Sequence, residues 1–204
     1  IDTDRAKDLF RKLAQFNLRI EMPNGISPAF IDTDLARSMK QAGVDTVYLA
    51  IEHGSENVLK NVIRKPLKLW QVPRAINALR YYDIFIHGFF VIGMPGETHD
   101  DRLITMAMII DWDLDWSGIN PATPLRGSKL YENCLEHGWI KRKSLQDVVD
   151  KEYTINAPEL GLTPEIIKSE INWMNWTVNF YRNRAMRIGD YKTALKCFRE
   201  VLMR

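Results

Sequence analysis

The chain has 204 residues, 46% of them hydrophobic and 26% charged, with a formal net charge of +2. That is the composition of a globular protein with enough apolar material for one domain or a large part of one. Nothing in its balanced charge points to nucleic acid or an anionic membrane surface as a partner of the chain as a whole. No apolar run is long enough to cross a bilayer and no secretory signal is visible, so the expected location is the cytoplasm. Cys134 and Cys197, the two cysteines, form no CxxC pair, and His53, His87, His99 and His137 show no ligand spacing. No metal site is expected from this chain alone, and unpaired thiols fit a reducing compartment.

In chain order, "DRAKDLFRKLAQF" sets Ala6, Leu9, Phe10 and Leu13 on one helical stripe, with Asp4 as its cap. "LRIEM" (18–22) reads as a short strand stopped by Pro23, Asn24 and Gly25. "DTDLARSMKQAG" is helical, with Leu35, Ala36 and Met39 inward and Gly43 as its stop. "VDTVYLAIE" reads as a buried strand, after which Ser55 caps a short helix carrying Val58, Leu59, Val62 and Ile63. A helix over 69–82 follows and tolerates Pro73 only in its first turn. The strand over 84–92 empties into the glycine-rich "GMPGET", and the next helix turns Leu103, Ile104, Ala107 and Met108 inward. "LDWSGIN" is a fourth strand, ended by Pro121 and Pro124. From about residue 145 the pattern becomes mostly helical, and its longest segment opens with Thr163 as cap and Pro164 at the first position.

Alternating strands and helices with short connections point to a parallel sheet covered by helices, either doubly wound or an arc of a (β/α) barrel. Ligands of such folds bind where the strands end. Those ends carry Glu21 and Asn24, Glu52 and Ser55, Gly93 to Glu97, and Asn120 and Pro124. Carboxylates at the ends of apolar strands suit a cationic or polyhydroxylated ligand, and glycines allow close backbone approach to a flat ring. Plainer readings stand beside these: Glu21 or Glu52 pairs with a neighbouring Lys or Arg, Ser55 is only a helix cap, and Gly93 and Gly96 serve a tight turn. His53 and His87 read as packed side chains. P-loop, GxGxxG and GxSxG patterns are missing, which excludes those phosphate, dinucleotide and hydrolase sites.

Four segments in register, "PNGISPAFIDTDLARSMKQAG", "YLAIEHGSENVLKNVIRK", "HGFFVIGMPGET" and "NPATPLRGSKLYE", resemble successive parts of the radical S-adenosylmethionine (radical SAM) superfamily. The likeness is to its cobalamin-associated branch, which includes anaerobic magnesium-protoporphyrin cyclase-like proteins, and covers about residues 4 to 138. The resemblance implies an incomplete (β/α) barrel over residues 1–140 and a helical C-terminal extension over 141–204. It implies SAM and a [4Fe-4S] cluster as cofactors, with cobalamin in the full-length protein. A 5′-deoxyadenosyl radical or cobalamin-dependent methyl transfer is then the chemistry, acting on a small-molecule substrate. By the same resemblance Glu52 meets the SAM ribose, with Ser55 a polar position just beyond it. Arg64 lies near the SAM carboxylate, Val91 with Gly93 and Pro95 forms the backbone wall against adenine, and Glu21 lies near the methionine amine.

The family's CxxxCxxC cluster motif is absent, and Cys134 and Cys197 cannot replace it. The chain is therefore expected to be a C-terminal fragment, catalytically silent alone, whose partner is the N-terminal part of the same polypeptide. Its 18–22 strand should present an exposed edge, covered by a dimer partner, a lattice neighbour or a rearranged helix. Two rivals remain: an ordinary α/β-barrel enzyme using Glu21 and Glu52 in acid–base chemistry, and a non-catalytic binding module.

Overall fold

The computed structural model describes residues 2–141, 154–183 and Gly189. Three parallel strands, β1 (Thr46–Glu52), β2 (Phe85–Ile92) and β3 (Trp116–Pro121), form one open sheet in chain order. Before β1 lie α1 (Thr3–Leu13) and α2 (Thr33–Gln41). The crossovers carry α3 (Gln71–Tyr81) and α4 (His99–Trp112), and α5 (Lys129–Glu136) and α6 (Pro164–Trp176) follow β3. This is the parallel, partial-barrel architecture expected, with a helical C-terminal region.

The helix boundaries follow local chemistry. Asp32, Thr98, Ser128 and Thr163 each cap the helix that follows, accepting a backbone N–H with the side chain. At α1 the cap is Asp2, which accepts from the Arg5 N–H, rather than Asp4. Pro164 opens α6 where its missing N–H has no partner to lose.

Expectation and structure part at three further places. The 18–22 segment is not a strand: Ile20 makes one parallel bridge to Val44, and Ile26 makes another to Leu49. Asn17 turns the chain with φ 50° just before this segment, and the turn closed by the Gly25 N–H on the Met22 carbonyl (3.3 Å) separates the bridges, so no pairing runs over consecutive residues. β1 is not buried throughout: Val47, Leu49 and Ile51 are fully covered on the helix side, while Tyr48, Ala50 and Glu52 alternate with them on a half-covered inner face. Lastly, α4 turns Asp101, Arg102, Thr105, Ile109 and Trp112 inward, leaving Ile104 exposed. Its inward face is partly polar, so the apolar stripe misplaces it.

The helix side of the sheet is the main core, where Ile86, Phe90 and Ile92 join Leu35, Met39, Ile76 and Leu79. On the inner face parallel register sets Tyr48 beside His87, Phe89 beside Gly118 and Val91 beside Asn120. The rings of Tyr48 and Phe89 stack with centroids 5.3 Å apart. At the opposite end of this face Phe85 and Trp116 pack with Phe180.

The C-terminal segment docks on the free edge of β3 by an asparagine ladder. Asn175 accepts the Ile119 N–H (3.1 Å) and donates to its carbonyl (2.8 Å). Asn179 does the same at Ser117 (2.8 and 2.7 Å), and Asn183 donates to the Asp115 carbonyl (2.9 Å). Two strand residues advance about 6.6 Å and four helical residues about 6.0 Å, so asparagines four residues apart meet every second strand residue. Four-residue steps drift by about 40° around an ideal helix, and the wide π turn over Thr177–Tyr181 offsets that drift. Among the described residues no helix is long and apolar enough to cross a membrane.

Candidate functional site

β1 ends in an irregularity between Ala50 and Glu52, and Glu52 adopts φ 75°. Left-handed backbone costs a non-glycine residue about 1–2 kcal/mol, and such strain persists only where surrounding structure enforces it. The Glu52 carboxylate points to Lys65, 3.0 Å away, with both side chains partly exposed. Beyond it Gly54 lies so close to α4 that a Cβ would fall 2.6 Å from the Thr105 Cα, while its N–H donates to Thr105 Oγ1 at 3.0 Å. Ser55 is turned into the protein: its hydroxyl donates to Asp101 (2.6 Å), and its N–H donates to His53 Nδ1 (3.0 Å).

The loop after β2 is organised around Glu97, whose side chain is wholly buried. Its carboxylate accepts from the Gly93 N–H (3.0 and 3.1 Å) and the Met94 N–H (3.3 Å), and the Glu97 N–H returns to the Met94 carbonyl (2.9 Å). Gly93 and Gly96 hold φ 87° and 96°, a region that L side chains rarely adopt. His53 Nδ1 accepts the Ser55 N–H, so the neutral ring carries its proton on Nε2, facing Glu97 at 3.5 Å. Arg102 Nη1 lies 3.3 Å from Glu97, and the rest of its guanidinium is bound by Glu170 of α6, through Nε and Nη2. Glu170 also meets His99 Nδ1 at 2.8 Å.

A buried carboxylate is tolerated only when its charge and lone pairs are matched, and Glu97 has both. For Asp101, burial pushes the carboxyl up, but hydrogen bonds from Ser55 and Thr98 outweigh it and hold it below the usual carboxylate range. Arg102 is likewise lowered by burial and raised by more through Glu170 and Glu97. The amides of Gly93 and Met94 are consumed by Glu97, which makes this loop a rigid wall rather than a cradle for an anion.

The other candidate residues fall into place around this wall. Val91 stands half-buried on the inner face with Met94 nearby in the same apolar cluster, and Pro95 sits at the turn between the two glycines. Arg64, exposed and with φ 59°, lines a cavity of about 260 Å³ with Glu56, Lys60, Lys65 and Lys68. Glu21 stands apart on the bridge segment, exposed and paired with Arg19 at 3.2 Å. Plain ion pairing thus occurs at both Glu21 and Glu52. Asp101, Arg102, Thr105 and Glu170 escape sequence reading. The local trace of this network is Thr98-x-x-Asp101, which forms a capping box at the start of α4.

The described residues do not fit an iron–sulfur cluster. Cys134 is buried with its thiol pushed up to about 11 by that burial, and no group of three metal-ligating side chains occurs among the described residues. They do fit the adenosine part of SAM: Tyr48, Ala50, Phe89 and Val91 form a half-open apolar floor, with Glu52 at its rim.

Residues 2–109 match the radical SAM superfamily. The chain belongs to that superfamily. It is 31% identical over 191 residues to cytidylyl-2-hydroxyethylphosphonate methyltransferase of Streptomyces wedmorensis, covering 90% of this chain and 36% of that protein. An uncharacterized methyltransferase of Pyrococcus horikoshii is 28% identical over 140 residues, 69% of this chain and 30% of that one. The solved radical SAM methyltransferase TsrM of Kitasatospora setae, with cobalamin and a [4Fe-4S] cluster bound, superposes with a TM-score of 0.57 at 16% identity, over 80% of this chain and 34% of its own. At that identity the likeness concerns the fold. The chain spans about a third of the length of the curated relatives it matches. SAM and a [4Fe-4S] cluster are the cofactors of that superfamily.

Proposed function

We propose that the chain supplies the SAM-binding face of a cobalamin-associated radical SAM methyltransferase that acts on a small molecule. The observation that carries this reading is the half-open inner face beside the Gly93–Glu97 wall, in a chain similar over most of its length to a methyltransferase. Adenine lies on Val91, Gly93 and Pro95, and Glu52 accepts hydrogen bonds from the ribose hydroxyls while Lys65 holds its charge in place. Arg64 faces the methionine carboxylate. Ser55 acts one step back by fixing Asp101, and Glu21 stays outside the site because its charge is spent on Arg19. That pairing also speaks against acid–base chemistry by Glu21 with Glu52.

When bound, the cluster supplies the electron that cleaves SAM. We assign its thiolates, and a share of the barrel, to a preceding part of the protein that joins at the Ile20 edge. Within the expected 141–204 extension, α6 packs on this barrel, and residues 142–153, 184–188 and 190–204 lie outside the described residues. A reducing cytoplasm suits the free thiol of Cys134.

The test is equilibrium binding of SAM to the anaerobically reconstituted full-length protein. Glu52→Ala should weaken SAM by about tenfold or more, the worth of a hydrogen bond to a charged group. Unchanged affinity would refute the ribose role. A wild-type protein that binds no SAM would refute the reading as a whole.

A further inference from the structure

We propose that Glu170, on the C-terminal helix, is a positioning residue for the Gly93–Glu97 loop and acts on it through Arg102. The inference rests on the reading of that loop as the SAM wall, and it gives the helical extension a share in the site.

Three planar groups stand in series. The Glu97 carboxylate takes the amides of Gly93 and Met94, which fixes the direction of the peptide planes at the end of β2. Arg102 reaches Glu97 with Nη1 only, while Nε and Nη2 both go to Glu170. A guanidinium is a rigid fork, so the partner holding two of its nitrogens sets the plane from which the third is presented. Glu170 therefore orients Arg102, Arg102 orients Glu97, and Glu97 orients the loop.

Glu170 is itself well anchored. Five residues further along α6, Asn175 grips both backbone groups of Ile119, so the helix is registered against the sheet whose neighbouring strand carries the loop. His99 also binds Glu170 from the first position of α4. The Arg102 and Glu97 side chains are almost entirely buried, with Glu170 at the border of solvent. Inside such a site a lost partner is not replaced by water, and its effect passes to the next group in line.

Two variants, Glu170→Ala and Glu170→Gln, test the assignment by amide hydrogen exchange and SAM affinity, measured on the reconstituted full-length protein. Positioning predicts that exchange over residues 93–97 rises by about tenfold or more in Glu170→Ala, the worth of at least one charged hydrogen bond passed on to the loop. Exchange in β1 should stay at its wild-type value. Glu170→Gln keeps an acceptor and the side-chain volume, so it should fall between the two and remain folded. SAM affinity should drop in the same order. Unchanged exchange over 93–97 in Glu170→Gln and Glu170→Ala would overturn the assignment, and so would a uniform rise across the whole sheet, which marks general destabilisation. Faster loop exchange with wild-type SAM affinity would uphold the positioning and instead sink the reading of the loop as the SAM wall.

Discussion

Along β3, carboxamides of Asn175, Asn179 and Asn183 occupy the places a neighbouring strand would fill, whereas along β1 the described residues make one isolated bridge, Ile26 to Leu49, with a second, Ile20 to Val44, just before the strand. Both edges present the same backbone groups, and an unpaired edge invites another strand. At β3 the invitation is withdrawn, because each asparagine offers one acceptor and one donor in the spacing of a strand residue. At β1 it stands, and the segment leading to the Ile20 bridge leaves Phe16 and Leu18 62% and 45% exposed. The difference assigns a direction to the sheet: it terminates at β3 and can be extended at β1. A partial barrel needs such a terminator, since otherwise β3 would pair with whatever strand it met.

The sharpest way to break this contrast is Asn179→Leu. The substitution keeps an apolar volume against β3 but strands the buried N–H and carbonyl of Ser117. Each unsatisfied backbone group costs about 1–3 kcal/mol, so a loss of about 2–6 kcal/mol is expected in urea unfolding. A loss below about 1 kcal/mol would mean that the ladder does not close the edge.

Acid should separate the two edges by a smaller effect. The three asparagines of the ladder do not titrate, while α1 and α2 are joined by Lys7 and Asp32 at 2.6 Å. Burial raises the Asp32 carboxyl, but the Lys7 hydrogen bond and the Leu35 N–H outweigh it and hold it below its ordinary value. A carboxyl depressed in the folded state stabilises fully above its unfolded pKa, about 3.9, and that contribution is lost as pH falls through the lower folded value. Lys7, raised chiefly by its hydrogen bond to Asp32, loses its contribution only at the alkaline end, as pH rises through its folded value. Protection factors followed from pH 6 down to pH 3 should therefore fall in α1 before they fall at the Ser117 and Ile119 N–H groups, which the asparagines hold. Simultaneous loss would deny the two edges their independence.

The same contrast marks what could be read in the chain of letters. Strands β1 to β3 and helices α2, α3 and α6 were legible because their apolar spacing and caps are local. The rotation of α4 was not, since Asp101, Arg102 and Thr105 look like surface residues until their partners are known. Those partners are remote: Ser55 lies 46 residues from Asp101, and Glu170 lies 68 from Arg102. The asparagine ladder left a four-residue repeat in plain sight, yet nothing in it says that an unpaired strand lies opposite. At the strand ends the resemblance singled out Glu52, Ser55 and Arg64, and coordinates were needed to show that Ser55 faces inward on Asp101. The 18–22 segment has the composition of a strand, but the turns at Asn17 and at Met22–Gly25 leave it with isolated bridges.

That last point gives the smallest predicted effect and the finest test. Leu18→Lys replaces a half-exposed apolar side chain at the open edge with one that blunts edge pairing. An exposed substitution of this kind should change unfolding stability by less than about 0.5 kcal/mol. Its effect should be on association instead: sedimentation of the isolated chain at increasing concentration should show less self-association in Leu18→Lys than in wild type. Equal association would mean that the open edge does not recruit a second chain. A large loss of stability would mean that Leu18 already belongs to a packed interior, and the two edges would then differ in geometry but not in completeness.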